Sequence, residues 1–409
     1  MPFRQVFAPR SVPEWSVRGL IAILIAMVGY VSGVHALANT VRGRNIEWAH
    51  TIVPTDGQIM ALLSQQLSGG EATANDRRRA DQLAREALTQ DATAVAAVAT
   101  LGIDAQVRGD TADARRLLSY ANALSRRDLR TQVWAIEDAV SRGDVPSALQ
   151  HYDIALRTGR SASNLLFPIL GSAIGDPTIR AALTNTIAGG PEWASHFINY
   201  AAGEAPDPRA VSQLFTTLRY ARVSVSGNAY TLLINRLIAE NLLADAWSVY
   251  ASTHPGVDRR VSRDPNFENA EAIESRFNWS LINESGVSTS IQRGANGNLF
   301  EFSAPSSVGG VLLQQTQVLP EGTYQLSGRS EGVDQLEGAR PYWVLTCVDG
   351  RELGRVEISN SAHMSGVFKG QFKVPAGCPL QMLSLFANPS DVATGLSGRI
   401  LKARIDPVL

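Results

Sequence analysis

The chain reads as a multidomain α plus all-β protein: an apolar N-terminal helix, an α-helical repeat solenoid and a C-terminal two-sheet β-sandwich. Three observations predict this. Residues 19–38 carry no charged side chain, and a 34-residue period follows them. Beyond Arg259, apolar residues at three- and four-residue spacing give way to short alternating runs bounded by Gly, Ser, Asn and Pro. The expected division is a tail over 1–18, the apolar segment over 19–38, helical repeats over 39–255 and the sandwich over 256–409.

The apolar segment, Gly19 to Ala38, is most hydrophobic over Leu20-Ile21-Ala22-Ile23-Leu24-Ile25-Ala26-Met27-Val28. About 20 residues at a rise of about 1.5 Å cross the ~30 Å hydrocarbon layer of a bilayer. Arg4, Arg10 and Arg18 precede the segment and Arg42 and Arg44 follow it, so the charge bias toward a cytoplasmic N-terminus is slight. Ala36-Leu37-Ala38 has the small-x-small form of a signal cleavage site. A retained single-pass anchor is favoured over a cleaved signal, and either reading exports the bulk of the chain. Lysine occurs only at Lys369, Lys373 and Lys402, the arginine-heavy usage of a GC-rich bacterial genome. The expected location is therefore the bacterial inner membrane, with the bulk in the periplasm. The formal net charge of −1 and the lack of a long basic run leave no footprint for nucleic-acid binding.

Cysteine usage fits that compartment. Cys347 and Cys378 are the only two, and a disulfide is expected in preference to two buried free thiols. It would close a loop of about 30 residues, a constraint on the order of 3 kcal/mol.

The repeat is legible residue by residue. Ala80, Ala114 and Ala148 are in register, as are Ala87, Ala121 and Ala155, and Arg108-Gly109-Asp110 recurs as Arg142-Gly143-Asp144. Pairs of antiparallel helices need small residues where they cross and a glycine where the first helix ends. Leu101, Gly102, Ala105, Gly109, Ala114, Leu118 and Ala121 meet this pattern, and Ala135, Ile136, Ala139, Gly143, Ala148, Tyr152 and Ala155 repeat it. In period and spacing the region resembles tetratricopeptide repeats, whose stacked pairs form a groove that holds a protein partner. Helical spacing continues over 164–175, 176–188, 191–203, 206–221 and 228–240, and Ala246, Trp247 and Tyr250 close the solenoid. Arg77, Arg78 and Arg79 read as a solvated helix face.

Ten strands are expected in the last third: 277–281, 287–292, 299–303, 310–318, 322–331, 342–347, 355–359, 366–374, 381–386 and 397–405. Pro320-Glu321-Gly322 and Val348-Asp349-Gly350 read as hairpin turns. Asp264-Pro265-Asn266-Phe267-Glu268 with Phe277-Asn278-Trp279, then Leu319 to Gly328, then Arg404-Ile405-Asp406, resemble the opening, central and closing strands of carbohydrate-binding-module-like jelly rolls. That resemblance implies a structural calcium held by Glu268 and Asp406, and sugar binding through aromatic rings and polar side chains drawn from Trp279, Tyr324, Arg329, Tyr342 and Trp343. Trp279 and Tyr324 also sit where core aromatics belong. Tyr342 and Trp343 are adjacent on one strand and must face opposite sides.

Signatures of catalysis are missing: the sequence has no His-Glu-x-x-His, Gly-x-Ser-x-Gly or Gly-x-x-x-x-Gly-Lys. The expectation is a non-catalytic, membrane-anchored periplasmic scaffold. Its repeats bind a protein of an envelope assembly and its sandwich a polysaccharide or assembly subunit, in exopolysaccharide or surface-polysaccharide biosynthesis or export. One alternative is a structural or assembly subunit of a secretion or pilus system. A second is a glycoside hydrolase or lyase, which needs two facing carboxylates. Exposed coplanar aromatics on the sandwich would separate the first reading from the second.

Overall fold

Among the described residues, capping side chains fix most helix starts. The computed structural model describes residues 12–159, 161–268, 275–363, 366–389 and 394–408. Among the described residues, fourteen α-helices precede ten β-strands. The chain divides into two compact units, 1–166 and 167–409.

In the first unit, helix α1 (Val12–Val41) contains the stretch Trp15–Val41, long and apolar enough to cross a membrane, a property signal sequences share. Its last turns are built into the domain that follows. Ala38 is fully buried in a cluster with Ile46, Ala49, Ile59 and Leu63, and Val34 packs against that cluster. The cluster joins α2 (Ile46–Ile52) and α3 (Gly57–Leu67) to Leu83 of α4 (Ala74–Gln90).

Two helix pairs then repeat each other, α5 (Val95–Val107) with α6 (Thr111–Leu124) and α7 (Leu129–Ser141) with α8 (Val145–Thr158). The in-register alanines are all buried: Ala80, Ala114 and Ala148, and Ala87, Ala121 and Ala155. Gly102 shows why the crossing excludes a side chain, since a Cβ there would lie 2.5 Å from Leu118 Cγ. Each Arg-Gly-Asp is a helix stop joined to a helix start. Gly109 (φ +83°) and Gly143 (φ +71°) take the left-handed conformation. The next N–H, on Asp110 or Asp144, reaches back five residues to Ala105 O (3.0 Å) or Ala139 O (2.9 Å). The same aspartates then cap α6 and α8 by accepting from Asp113 N and Ser147 N, both at 3.1 Å.

Helix α9 (Ala162–Ala173) spans the division between the units. The second unit continues with α10 (Pro177–Ala188), α11 (Ala194–Glu204), α12 (Pro208–Tyr220), α13 (Gly227–Ala239) and α14 (Leu243–Thr253). Aspartates again set the starts of α10 and α12, with proline next in line at each. The back-reaching helix stop recurs at Arg222 (φ +59°) and Asn241 (φ +59°), without glycine.

Strands β1 (Ser280–Leu281), β4 (Gly310–Gln317), β9 (Gln381–Ala387), β6 (Tyr342–Cys347) and β7 (Glu352–Glu357) form one antiparallel sheet in that order. The other, also antiparallel, runs β2 (Ser288–Gly294), β3 (Gly297–Ala304), β10 (Leu396–Pro407), β5 (Gly322–Glu331), β8 (Gly366–Val374). Their inner faces share one core, with Trp343, Leu345, Leu383 and Leu385 from the first sheet against Phe300, Phe302, Leu326, Phe368 and Ile405 from the second.

Two expectations are corrected. Pro320-Glu321-Gly322 is no hairpin: β4 already pairs with β1 and β9, so the turn carries the chain to β5 in the opposite sheet. Residues 277–279 do not extend β1, because the Asn278 N–H turns back to Ser275 O (2.8 Å) and Phe277 becomes a buried plug. Val348-Asp349-Gly350 does close a hairpin, with Gly350 N–H donating to Cys347 O (2.9 Å) and β6 paired to β7.

A buried arginine anchors that plug. Arg263 Nε donates to Phe277 O (2.8 Å) and its Nη2 to Thr316 O. The guanidinium lies 5.2 Å from the Phe277 ring centroid and 5.7 Å from that of Trp247 on α14. Burial pushes it down to about 10, which leaves it charged at neutral pH. Tyr250 on α14 stacks edge-on to Phe277 (5.2 Å) and donates to Asn278 Oδ1 (3.1 Å). The last helix and the sandwich are thus joined through one cation and four aromatic or amide side chains.

Candidate functional site

Strand alternation decides which candidate sugar contacts reach solvent. On β6, Trp343, Leu345 and Cys347 point between the sheets and Tyr342 and Thr346 point outward. Trp343 is 0% exposed, with its ring 5.8 Å from Trp279 and 6.4 Å from Phe368. Trp279 is buried too and donates through Nε1 to Asp264 O (2.9 Å). Tyr324 is buried, with its hydroxyl on Pro320 O (2.9 Å). These three rings are core, with no free face to offer a ligand. Arg329 is exposed on β5 and Tyr342 is half-buried on β6, so the two stand on different sheets and are not brought together.

What the fold adds is a partner for Tyr342. Register places it opposite Phe386 on β9, and the two rings lie parallel within 7° at 5.5 Å. Arg355 on β7 lays its guanidinium 4.1 Å from the Tyr342 centroid. Glu352 holds Arg355 there through contacts of 3.2 and 3.1 Å, which raise the arginine above its ordinary range. Glu357, opposite Tyr342 in register, pairs with Arg340 at 3.1 Å. The outer face of this sheet therefore carries a half-buried Tyr342–Phe386 stack with Arg355 over the tyrosine ring, flanked by fixed carboxylates. A sugar ring can pack against the edges of this stack while its hydroxyls reach Arg355, Glu352 and Glu357.

The opposite sheet's outer face is built differently. Ser290, Gln292, Glu301, Ser303, Glu331 and Arg399 line a cleft of about 390 Å³. Arg399 crosses strands to Glu301 (2.9 Å) and stands opposite Glu331 in register. Its walls offer hydrogen bonds and charge.

Cys347 and Cys378 form a disulfide, with Cα atoms 5.7 Å apart, tying the end of β6 to the loop before β9. Of the two residues implied for calcium, Asp406 receives Arg404 Nε on both oxygens at 2.8 Å, and Glu268 receives Asn266 Nδ2 at 3.4 Å. Among the described residues no three His, Cys, Asp or Glu side chains gather as a metal-holding group.

No family model matches this chain, and no curated protein matches it. Among solved structures it is similar to the enzymatically active domain of tailspike protein 4 of bacteriophage CBA120, at 11% identity and a TM-score of 0.28, over 37% of this chain and 22% of that one. It is also similar to a family 61 carbohydrate-binding module in complex with β-1,4-galactotriose, at 14% identity and a TM-score of 0.27, over 36% of this chain and 97% of that one. A glycosylation-associated protein complex from Streptococcus agalactiae is similar at 11% identity and a TM-score of 0.22, over 32% of this chain and 44% of that one.

Proposed function

We propose that the protein is a non-catalytic, membrane-anchored scaffold of the bacterial envelope whose sandwich binds glycan on the outer face carrying Tyr342. Helix α1 is the retained anchor and the remainder stands in the periplasm. The helix pairs act as tetratricopeptide-like repeats that hold a protein partner, and the setting is surface-polysaccharide production or export. One observation carries the glycan reading: the parallel Tyr342 and Phe386 rings beside a guanidinium held by Glu352. The buried Ala38 supports retention of α1, because cleavage after it would free a residue that the first helical core encloses.

The test is binding of the purified full-length protein to an array of bacterial surface polysaccharides. Wild type is expected to bind a subset, and Tyr342→Ala or Phe386→Ala to weaken binding about tenfold, the loss of one stacking contact of about 1.4 kcal/mol. Unchanged binding by both variants would sink this site. No binding by wild type would leave the sandwich as a protein-docking domain of a secretion or pilus assembly.

A further inference from the structure

The first unit contains a second, open cavity of about 840 Å³ where α1 ends, with a mixed polar and apolar lining. Arg42, Ile46, Gln58, Gln65, Gln66 and Arg130 line it, and no Asp or Glu does. Its two cations are placed differently. Arg42 is exposed at the rim and directly follows the apolar stretch Trp15–Val41, which puts it at lipid-headgroup level with α1 as the anchor. Arg130, the second residue of α7, reaches the end of α3, donating to Gln65 O (3.4 Å) and Ser68 O (3.1 Å). The nearby carboxylates are already engaged: Asp91 receives Gln58 Nε2, Asp128 caps α7 through Thr131 N (2.8 Å), and Asp104 pairs with Arg77 at 3.3 Å. Burial holds the Arg130 guanidinium below its ordinary range, a cost that a bound anion would relieve.

We infer that this cavity binds the anionic phosphate headgroup of a membrane lipid. Arg42 and Arg130 supply charge-assisted hydrogen bonds to the phosphate, the amides of Gln65 and Gln66 donate to its remaining oxygens, and the half-buried Leu62 meets the start of the acyl or prenyl chain. The inference rests on α1 being a retained anchor. The shared chemistry is a phosphate ester at headgroup level, drawn either from bulk phospholipid or from a polyprenyl carrier of the kind that bears lipid-linked glycan.

Native mass spectrometry of the full-length protein tests this, after reconstitution with equal amounts of phosphatidylcholine, phosphatidylglycerol and undecaprenyl phosphate. Retention of one anionic lipid over phosphatidylcholine is expected, and which anionic lipid it is names the source. Arg42→Glu is expected to lower that retention about tenfold and Arg130→Gln by a similar factor. Arg42 is exposed, so its variant stays informative if Arg130→Gln disturbs α3. Arg44→Gln, outside the cavity, should retain lipid as wild type does. Equal retention of all three lipids, or an Arg42→Glu protein that retains lipid unchanged, overturns the inference. The same spectra give the intact mass, and a protein lacking residues 1–38 would overturn the anchor reading and this inference together. A full-length protein without lipid preference would overturn the inference alone.

Discussion

The repeated helix pairs and the sandwich hold their chains at different ranges. Within the pairs α5–α6 and α7–α8 the turn is closed by groups three to five residues apart: a left-handed glycine, a back-reaching N–H and an aspartate cap. In the sandwich the decisive links run far along the chain. Ser262 Oγ receives the N–H of Ile405 across 143 residues, Arg263 reaches a carbonyl 53 residues away, and the disulfide spans 31. A fold assembled from local units spreads its stability over many small terms, whereas a sandwich concentrates it in a few side chains where distant strands meet.

That contrast is open to direct attack. Trp343→Ala removes the largest fully buried ring of the sandwich and should cost about 3–5 kcal/mol in denaturant unfolding; a loss below about 1 kcal/mol would show the sandwich to be as tolerant as the helices. Cys347→Ala with Cys378→Ala should cost about 3 kcal/mol, read from the urea midpoint under oxidising conditions. Asp144→Ala should cost only about 1 kcal/mol, with hydrogen exchange speeding at the start of α8 and the strands unaffected. The smallest effect belongs to His151, whose Nδ1 sits 2.9 Å from Gln132 Oε1. Burial, aided by Arg126 and Arg142, holds its pKa below the ordinary 6.5, so the unfolded chain takes the proton first. The helical stability is therefore full above about pH 6.5 and declines as pH falls toward the folded-state value. Thermal melts across that window should show the decline in wild type and lose it in His151→Gln.

The same difference in range decides what the sequence discloses. Helix stops written as Arg-Gly-Asp are legible because every participant lies within a few residues; the equivalent stops at Arg222 and Asn241 are not, since a side-chain-bearing residue there gives no glycine signal. The burial of Trp343 beside the exposed edge of Tyr342 follows from alternation once β6 is recognised. Phe386 escapes notice because only the pairing of β6 with β9, strands some 40 residues apart, lays its ring beside Tyr342. Pro320-Glu321-Gly322 has hairpin chemistry, yet sheet membership of β4 is set by β1 and β9, which no turn signal encodes. Arg263 reads as one more surface arginine until Phe277 O and Thr316 O are brought to it.

That arginine bears on how such a protein could have been assembled by recombination. A module cut at residue 256 would leave behind Trp247 and Tyr250, the rings that roof Arg263 and Phe277, and would open a permanent charge and an apolar plug to water at the cut surface. A transferred sandwich would keep this roof only if α14 travelled with it, which puts the workable seam upstream of Leu243.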